Sequence, residues 1–169
     1  MKIMKIMKTM KEMKKIGKIG IFSTLAVVLL AACESSFKPI QEVNNTFKSM
    51  YPNATRIDWE MENGYYVVEF RYDGHETEAW FDTDANWLMT ETDYGRNAPE
   101  AIQTYINGSD YKDWRIDDVD YIEIKDKDAF YVIELEKGGM DKDLFFSASG
   151  EFLSEKSGVG NHRYTPWDK

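Results

Sequence analysis

The sequence predicts an α+β protein, a tandem repeat of two helix-plus-four-stranded antiparallel sheet units with both helices on one sheet face. Three observations predict it: the chain repeats at a fixed offset, each copy opens on helical periodicity behind a proline, and each continues in two-residue alternation broken by hairpin turns. The run from Glu78 to Leu88 returns 65 residues later as Asp143 to Leu153, and Tyr66 to Phe70 returns as Tyr131 to Leu135. Aromatic falls on aromatic and acid on acid. Upstream the offset drops to about 59 or 60, pairing Pro39 with Pro99 and Arg56-Ile57-Asp58 with Arg115-Ile116-Asp117. The second copy therefore has extra residues around Asp117 to Tyr121, where a loop is expected.

The elements follow in order. Pro39 sits in a first-turn position, Ile40, Val43, Phe47 and Met50 keep helical spacing, and Pro52 ends the run. Ile57, Trp59 and Met61 then alternate with Arg56, Asp58, Glu60 and Glu62, and Asn63-Gly64 supplies a hairpin turn. Tyr66, Val68 and Phe70 form the next inward row, Asp73-Gly74 turns the chain, and Thr77, Ala79 and Phe81 return. A turn at Asp84-Ala85-Asn86 leads to a short strand from Trp87 to about Glu91. In the second copy Pro99, Ile102, Tyr105 and Ile106 form the helix as far as Gly108. Its strands carry Ile122 and Ile124, then Tyr131, Ile133 and Leu135, then Leu144 and Phe146, then Phe152 and Leu153.

Charge divides the chain. The whole sequence holds 21 Lys plus Arg against 30 Asp plus Glu, a formal charge of -9 over 169 residues. Residues 1–32 carry seven Lys and one acid, which is +6 and leaves -15 for the other 137 residues. So acidic a chain lacks the broad basic face that nucleic-acid binding needs. A single Cys excludes an internal disulfide, and one Cys with two His is too few for a structural zinc site.

The basic segment runs into an almost wholly apolar stretch from Ile19 to Leu30 and then small residues, the order of a secretory signal, too short to span a membrane comfortably. Met7, Met10 and Met13 are alternative starts. The sequence Leu30-Ala31-Ala32-Cys33 resembles the lipobox of bacterial lipoproteins. That resemblance implies that Cys33 is acylated and becomes the first mature residue. Its acyl chains would hold the protein on a membrane at about 0.8 kcal/mol per buried methylene. The alternative is an ordinary signal whose cysteine falls there by chance. Glu34 after the Cys favours the outer membrane by the enterobacterial sorting pattern. The expected location is the cell envelope, at the outer membrane facing periplasm or surface, with membrane contact through lipid alone. The organisation read from the sequence is a signal peptide at 1–32, an anchor linker at 33–38, repeats at 39–95 and 96–157, and a flexible tail at 158–169.

Within the mature part, Trp59-Glu60, Tyr66 to Phe70 and Asp73 to Phe81, with Pro99 after them, form one set of matching residues. Trp114 to Tyr121, Tyr131 to Gly138 and Gly150 to Leu153 form the second. Together they resemble the PepSY-like family grouped with the β-lactamase inhibitor protein, abundant in Bacteroidetes, from about Phe37 to Ser157. The resemblance implies a tandem fold with a concave, uncovered sheet face, secretion, and in the inhibitor the use of that face to bind another protein.

Strand parity points to the same surface. With Tyr66, Val68 and Phe70 under the helices, Tyr65, Val67, Glu69 and Arg71 point the other way, joined by Glu78, Trp80, Phe130, Val132, Glu134, Asp143 and Phe145. Aromatics among acids on an open sheet resemble a protein interface, because rings bury much area at small entropic cost. The alternative is that these rings only pair across strands, or are covered by the tail through Tyr164 and Trp167.

Asp82, Asp84 and Asn86 have the one, three, five spacing that begins a calcium loop, with Glu91 or Asp93 as a later oxygen. Trp87 stands where such a loop needs Gly, the second copy has Ser147, Ser149 and Glu151, and a hairpin turn explains the triplet as well. The acids Asp110, Asp113, Asp117, Asp118 and Asp120 read as a solvated loop. His75 and His162, the only imidazoles, lie in no nucleophile or metal motif, and no glycine-rich phosphate loop follows a strand. The expectation is a non-enzymatic binding module without a cofactor, docking a protein partner, and the alternative is a calcium-responsive periplasmic protein.

Overall fold

Two-residue alternation and tight turns build one antiparallel sheet of eight strands, whose spatial order is the order of the chain. The computed structural model describes residues 37–157 and 164–167. The signal segment and Cys33 lie outside the described residues. Helix α1 (Gln41–Met50) precedes β1 (Thr55–Glu62), β2 (Tyr65–Tyr72), β3 (His75–Phe81) and β4 (Trp87–Asp93). Helix α2 (Glu100–Asn107) then precedes β5 (Arg115–Ile124), β6 (Phe130–Lys137), β7 (Met140–Ser147) and β8 (Phe152–Ser157). Among the described residues no helix is long and apolar enough to cross a membrane.

Each helix buries a narrow stripe on the strands that follow it. Val43 and Phe47 of α1 are fully buried against Tyr66, Val68, Phe70, Ala79 and Phe81. Ile102 and Ile106 of α2 are buried against Val119, Ile133, Leu135, Leu144 and Phe146. Each stripe is one helical turn long, so burial rather than intrinsic propensity holds these short helices. Ile40 and Met50, at the ends of the predicted α1 stripe, are exposed. Tyr51 caps α1 and ties it to the sheet, its hydroxyl 2.6 Å from Thr90 Oγ1, which also accepts the Trp87 indole N–H at 2.8 Å.

Tight turns of the primed type join β1 to β2, β2 to β3 and β6 to β7, with positive φ at Asn63-Gly64, Asp73-Gly74 and Gly138-Gly139. Between β3 and β4 the left-handed position is Ala85, and between β7 and β8 it is Gly150. The two turns share their hydrogen bonds. Asp82 N–H donates to Asn86 O and Ala85 N–H to Asp82 O, as Ser147 N–H does to Glu151 O and Gly150 N–H to Ser147 O.

Four bulges re-aim the strands, one extra residue each. β1 bulges between Thr55 and Asp58 with Arg56 at φ 54, β5 between Ile116 and Asp118, β4 at Leu88 and β8 at Leu153. Two sequence expectations change here. The extra residues around Asp117 to Tyr121 form no loop there, because β5 runs through them as a strand longer than β1, and the rest of the added length lies in the β5–β6 connection at 125–129. Ile57 and Met61 are 43% and 48% exposed, because β1 is an edge strand that α1 covers only at Trp59. The opposite edge, β8, is exposed along its whole length.

Gly150 is where turn and helix meet. Its φ is +87, and a Cβ there would lie 2.8 Å from the Ala101 Cβ of α2, whereas a Cβ on Gly64 would meet open space. Gly150→Ala should therefore destabilise by roughly 2–4 kcal/mol, backbone strain plus overpacking, against about 1 kcal/mol for Gly64→Ala. Urea midpoints of the two variants check this, and equal midpoints would refute the contact. Burial, opposed by the Thr90 hydrogen bond, pushes the Tyr51 hydroxyl from 10.0 up to about 12. A raised acid stabilises the fold below its unfolded pKa and loses that contribution as pH rises towards the folded value. Between about pH 10 and 12, Tyr51→Phe should thus lose less melting temperature than the wild type, which an alkaline melting series reads.

Candidate functional site

The face of the sheet turned away from the helices carries the site residues read from the sequence. Alternation places Tyr65, Val67, Glu69 and Arg71 of β2 on it, opposite the residues packed under α1. Cross-strand register extends the same face through Glu78 and Trp80, then Phe130 and Val132, then Phe145. The structure thus brings all nine predicted contact residues to one face, and it divides them by exposure. Glu69 is exposed, and Tyr65, Arg71, Glu78, Phe130 and Phe145 are half-buried. Val67, Trp80 and Val132 are buried, which corrects the expectation of an open aromatic row at these positions.

The cover is the tail. Val67, Trp80, Met89, Ile122, Ile124 and Val132 form one apolar cluster with Tyr164, which is 5% exposed. The Tyr164 ring stands edge-on to Phe130 at 6.1 Å. Trp167 packs on Tyr65 at 5.4 Å and edge-on against Trp80 at 5.6 Å. The expected flexible tail at 158–169 is therefore, at 164–167, packed on the sheet, because the apolar row from β2 to β7 has no helix among the described residues on this side to bury it.

Beside the apolar row runs a band of carboxylates that crosses six strands. Glu69 pairs with Glu78 and Glu78 with Glu91; one step along the strands, Glu76 pairs with Asp93 and Asp93 with Asp120. A further step on, Asp118 pairs with Glu134 and Glu134 with Asp143. Glu69, Glu76, Glu78, Glu91 and Asp93 line a shallow cleft, and carboxylate oxygens of Asp93, Asp118 and Asp120 come within 4.8 Å of one another. Cations are few on this face. Arg71 reaches Glu76 at 3.6 Å, and Lys156 lies 5.1 Å over the Phe145 ring. Trp80 links the two halves, donating its indole N–H to Glu78 Oε1 at 2.6 Å. Like charges directly opposite one another on a sheet are an uncommon pairing, and here they give the face a concentrated negative charge.

Asp118 and Asp120, read from the sequence as loop acids, belong to this band. The signal that finds them is the register across β4 and β5, which no local pattern contains. The Asp82, Asp84 and Asn86 triplet lies in the β3–β4 turn instead. Asp82 Oδ1 accepts the backbone N–H groups of Asp84 and Asn86 at 2.9 and 2.8 Å, and Oδ2 accepts the Asn86 side-chain N–H at 2.9 Å. Desolvation works upward on the Asp82 carboxyl, but these hydrogen bonds and the charge of Lys125 outweigh it and lower its pKa. An ion at this turn would have to displace three donors. His75 Nδ1 lies 3.2 Å from Asp93 O, and its ring packs on Tyr94 at 4.4 Å.

With the geometry in place, comparison with known proteins adds the following. A family described as "Putative beta-lactamase-inhibitor-like, PepSY-like" matches residues 64–154. A BLIP-like protein from Bacteroides fragilis is 40% identical over 79% of this chain and 95% of its own, with a TM-score of 0.67. A structure described as "putative periplasmic proteins" from Bacteroides eggerthii is 27% identical over 72% and 90%, with a TM-score of 0.62. A DUF2874 family protein from Bacteroides ovatus is 27% identical over 72% and 89%, with a TM-score of 0.63. No curated protein matches the chain.

Because Trp80 is fully buried and Trp167 is 48% exposed, the two indoles should behave differently. Trp80→Ala is expected to cost about 3–5 kcal/mol of stability and Trp167→Ala about 1 kcal/mol. Guanidinium unfolding of both variants measures the gap, and near-equal losses would show that the tail is not the outer layer.

Proposed function

This chain belongs to the PepSY-like, beta-lactamase-inhibitor-like family, and on that premise we propose that it is a non-catalytic binding module whose acidic and aromatic sheet face docks a protein partner, in the manner of an inhibitor. The observation that carries this reading is the carboxylate band. A row of carboxylates crossing six strands presents a dense negative surface, to which a positively charged partner surface is complementary. The half-buried rings of Tyr65, Phe130 and Phe145 flank it and offer the flat apolar area on which interfaces concentrate their energy. We further infer that the module acts in the cell envelope, lipid-anchored through Cys33 at the outer membrane. The similarity to a relative described as periplasmic supports the compartment, and the segment from Leu30 to Cys33 supports the anchor.

The tandem-repeat reading of the fold draws support from equivalent positions in the two halves. The bulges at Leu88 and Leu153, the left-handed residues Ala85 and Gly150, and the turns at Asp73-Gly74 and Gly138-Gly139 all lie 65 residues apart. The calcium-responsive alternative has less behind it, since the Asp82 carboxylate already closes its own turn.

Residues 35–169 form one compact unit and serve as soluble bait against the detergent-solubilised envelope of the source cell. The exposed pair Glu69→Gln with Glu76→Gln should reduce capture of a specific partner at least tenfold without changing the melting temperature by more than about 3 °C. Undiminished capture by the folded double variant would remove the acidic face from the interface.

A further inference from the structure

The residues that cover the far face show which chemistry that face accepts. Tyr164 sits at the join between the two halves. Its ring is buried in the apolar cluster, and its hydroxyl lies within the influence of Asp143, Asp120, Glu91 and Glu134. Desolvation first, and then those four charges, raise its pKa, so the group stays a neutral O–H donor facing carboxylates. Three residues on, Trp167 lays its ring on Tyr65 and Trp80 while remaining 48% exposed. Within four residues the tail thus supplies a donor for the acidic band and a second ring for the apolar row.

Its attachment differs from that of the strands. Residues 164–167 add no strand to the sheet, and the rings of Tyr164 and Trp167 pack on its far face. The tail sequence Asn161 to Lys169 also carries Arg163 and Lys169 against Asp168, a sign opposite to that of the face. A segment that contributes no strand can leave without unpairing the ladder.

Resting on the reading of this face as a partner site, we propose that Tyr164–Trp167 is an internal ligand of that site, and that the partner displaces it with an extended segment of the same chemistry. That segment bears a donor-carrying aromatic side chain, a second flat ring about three residues away, and a net positive charge. The tail then sets a threshold for docking: a partner must compete with a tethered copy of its own recognition element, and Trp167, the more exposed ring, gives way first.

The probe is a fluorescent synthetic peptide with the sequence of residues 161–169, its binding read by anisotropy. A chain carrying Tyr164→Ala with Trp167→Ala, shown to be folded by circular dichroism, should bind the peptide at least tenfold more tightly than the intact chain, whose own tail competes. Equal affinity for the two chains, or equal affinity for a scrambled peptide of the same charge, would overturn the proposal. Should the double variant fail to fold, Trp167→Ala alone carries the test. At least threefold tighter binding than to the intact chain supports an internal ligand, and no difference overturns it. Failure here leaves capture of an envelope partner by the intact chain untouched, whereas absent capture with peptide binding retained removes only the partner-site reading.

Discussion

The pairing of β4 with β5 is the constraint on which the rest of this structure depends. Five residue pairs, from Met89 with Ile124 to Asp93 with Asp120, join the first four strands to the last four. Without that seam there would be two small sheets, each with a helix on one side and two open edges. With it there is one sheet eight strands wide whose far face is continuous. Both features of that face cross the seam: the apolar row through Met89 and Ile124, and the carboxylate band through Asp93 and Asp120. Helix α2 makes the seam possible, because the chain leaves β4, turns through Pro99 and Gly108 over one side, and returns as β5 antiparallel to the strand it left.

The two faces of the sheet solve opposite problems. Under the helices, the fully buried Phe47, Phe70, Phe81, Ile102, Leu144 and Phe146 fill two cores, and burial of apolar area there supplies the stability of the fold at roughly 25 cal/mol per Å². On the far side the described residues include no helix, and the sheet presents a short apolar row and an acidic band. The apolar row is closed by Tyr164 and Trp167, which leaves Trp80 fully buried. The acidic band is covered only in part: Asp143 is buried and the Tyr164 hydroxyl faces it with Asp120, Glu91 and Glu134, whereas Glu69 and Glu76 stay exposed.

Much of this fold was legible because antiparallel sheets advertise themselves locally. The alternation Tyr66, Val68, Phe70 against Tyr65, Val67, Glu69 assigns both faces of β2, and paired residues of positive φ, Asn63-Gly64 and Asp73-Gly74, mark the turns that fix its register. The helical stripes at Val43 and Phe47 and at Ile102 and Ile106 are legible for the same reason. The bulges were not legible. A single extra residue at Leu88 or near Asp117 leaves the hydrophobic pattern almost unchanged and is chosen by the strand it must pair with. The exposure of Ile57 and Met61 was hidden as well, since an edge strand and a central strand share one alternation.

By itself, then, the sequence determined the α+β class, the order of the elements, the face on which each strand residue lies and the excess of negative charge, all of which follow from spacing and composition along the chain. Only the tertiary structure decided that separated acids such as Glu69, Asp93, Asp118 and Asp143 join into one band, and that Trp80 is closed over by a ring 87 residues further on. The physical reason is that both depend on contacts between distant parts of the chain. Cross-strand register sums charges that no local window contains, and the burial of an aromatic is set by whatever apolar segment reaches it first, here the described end of the tail.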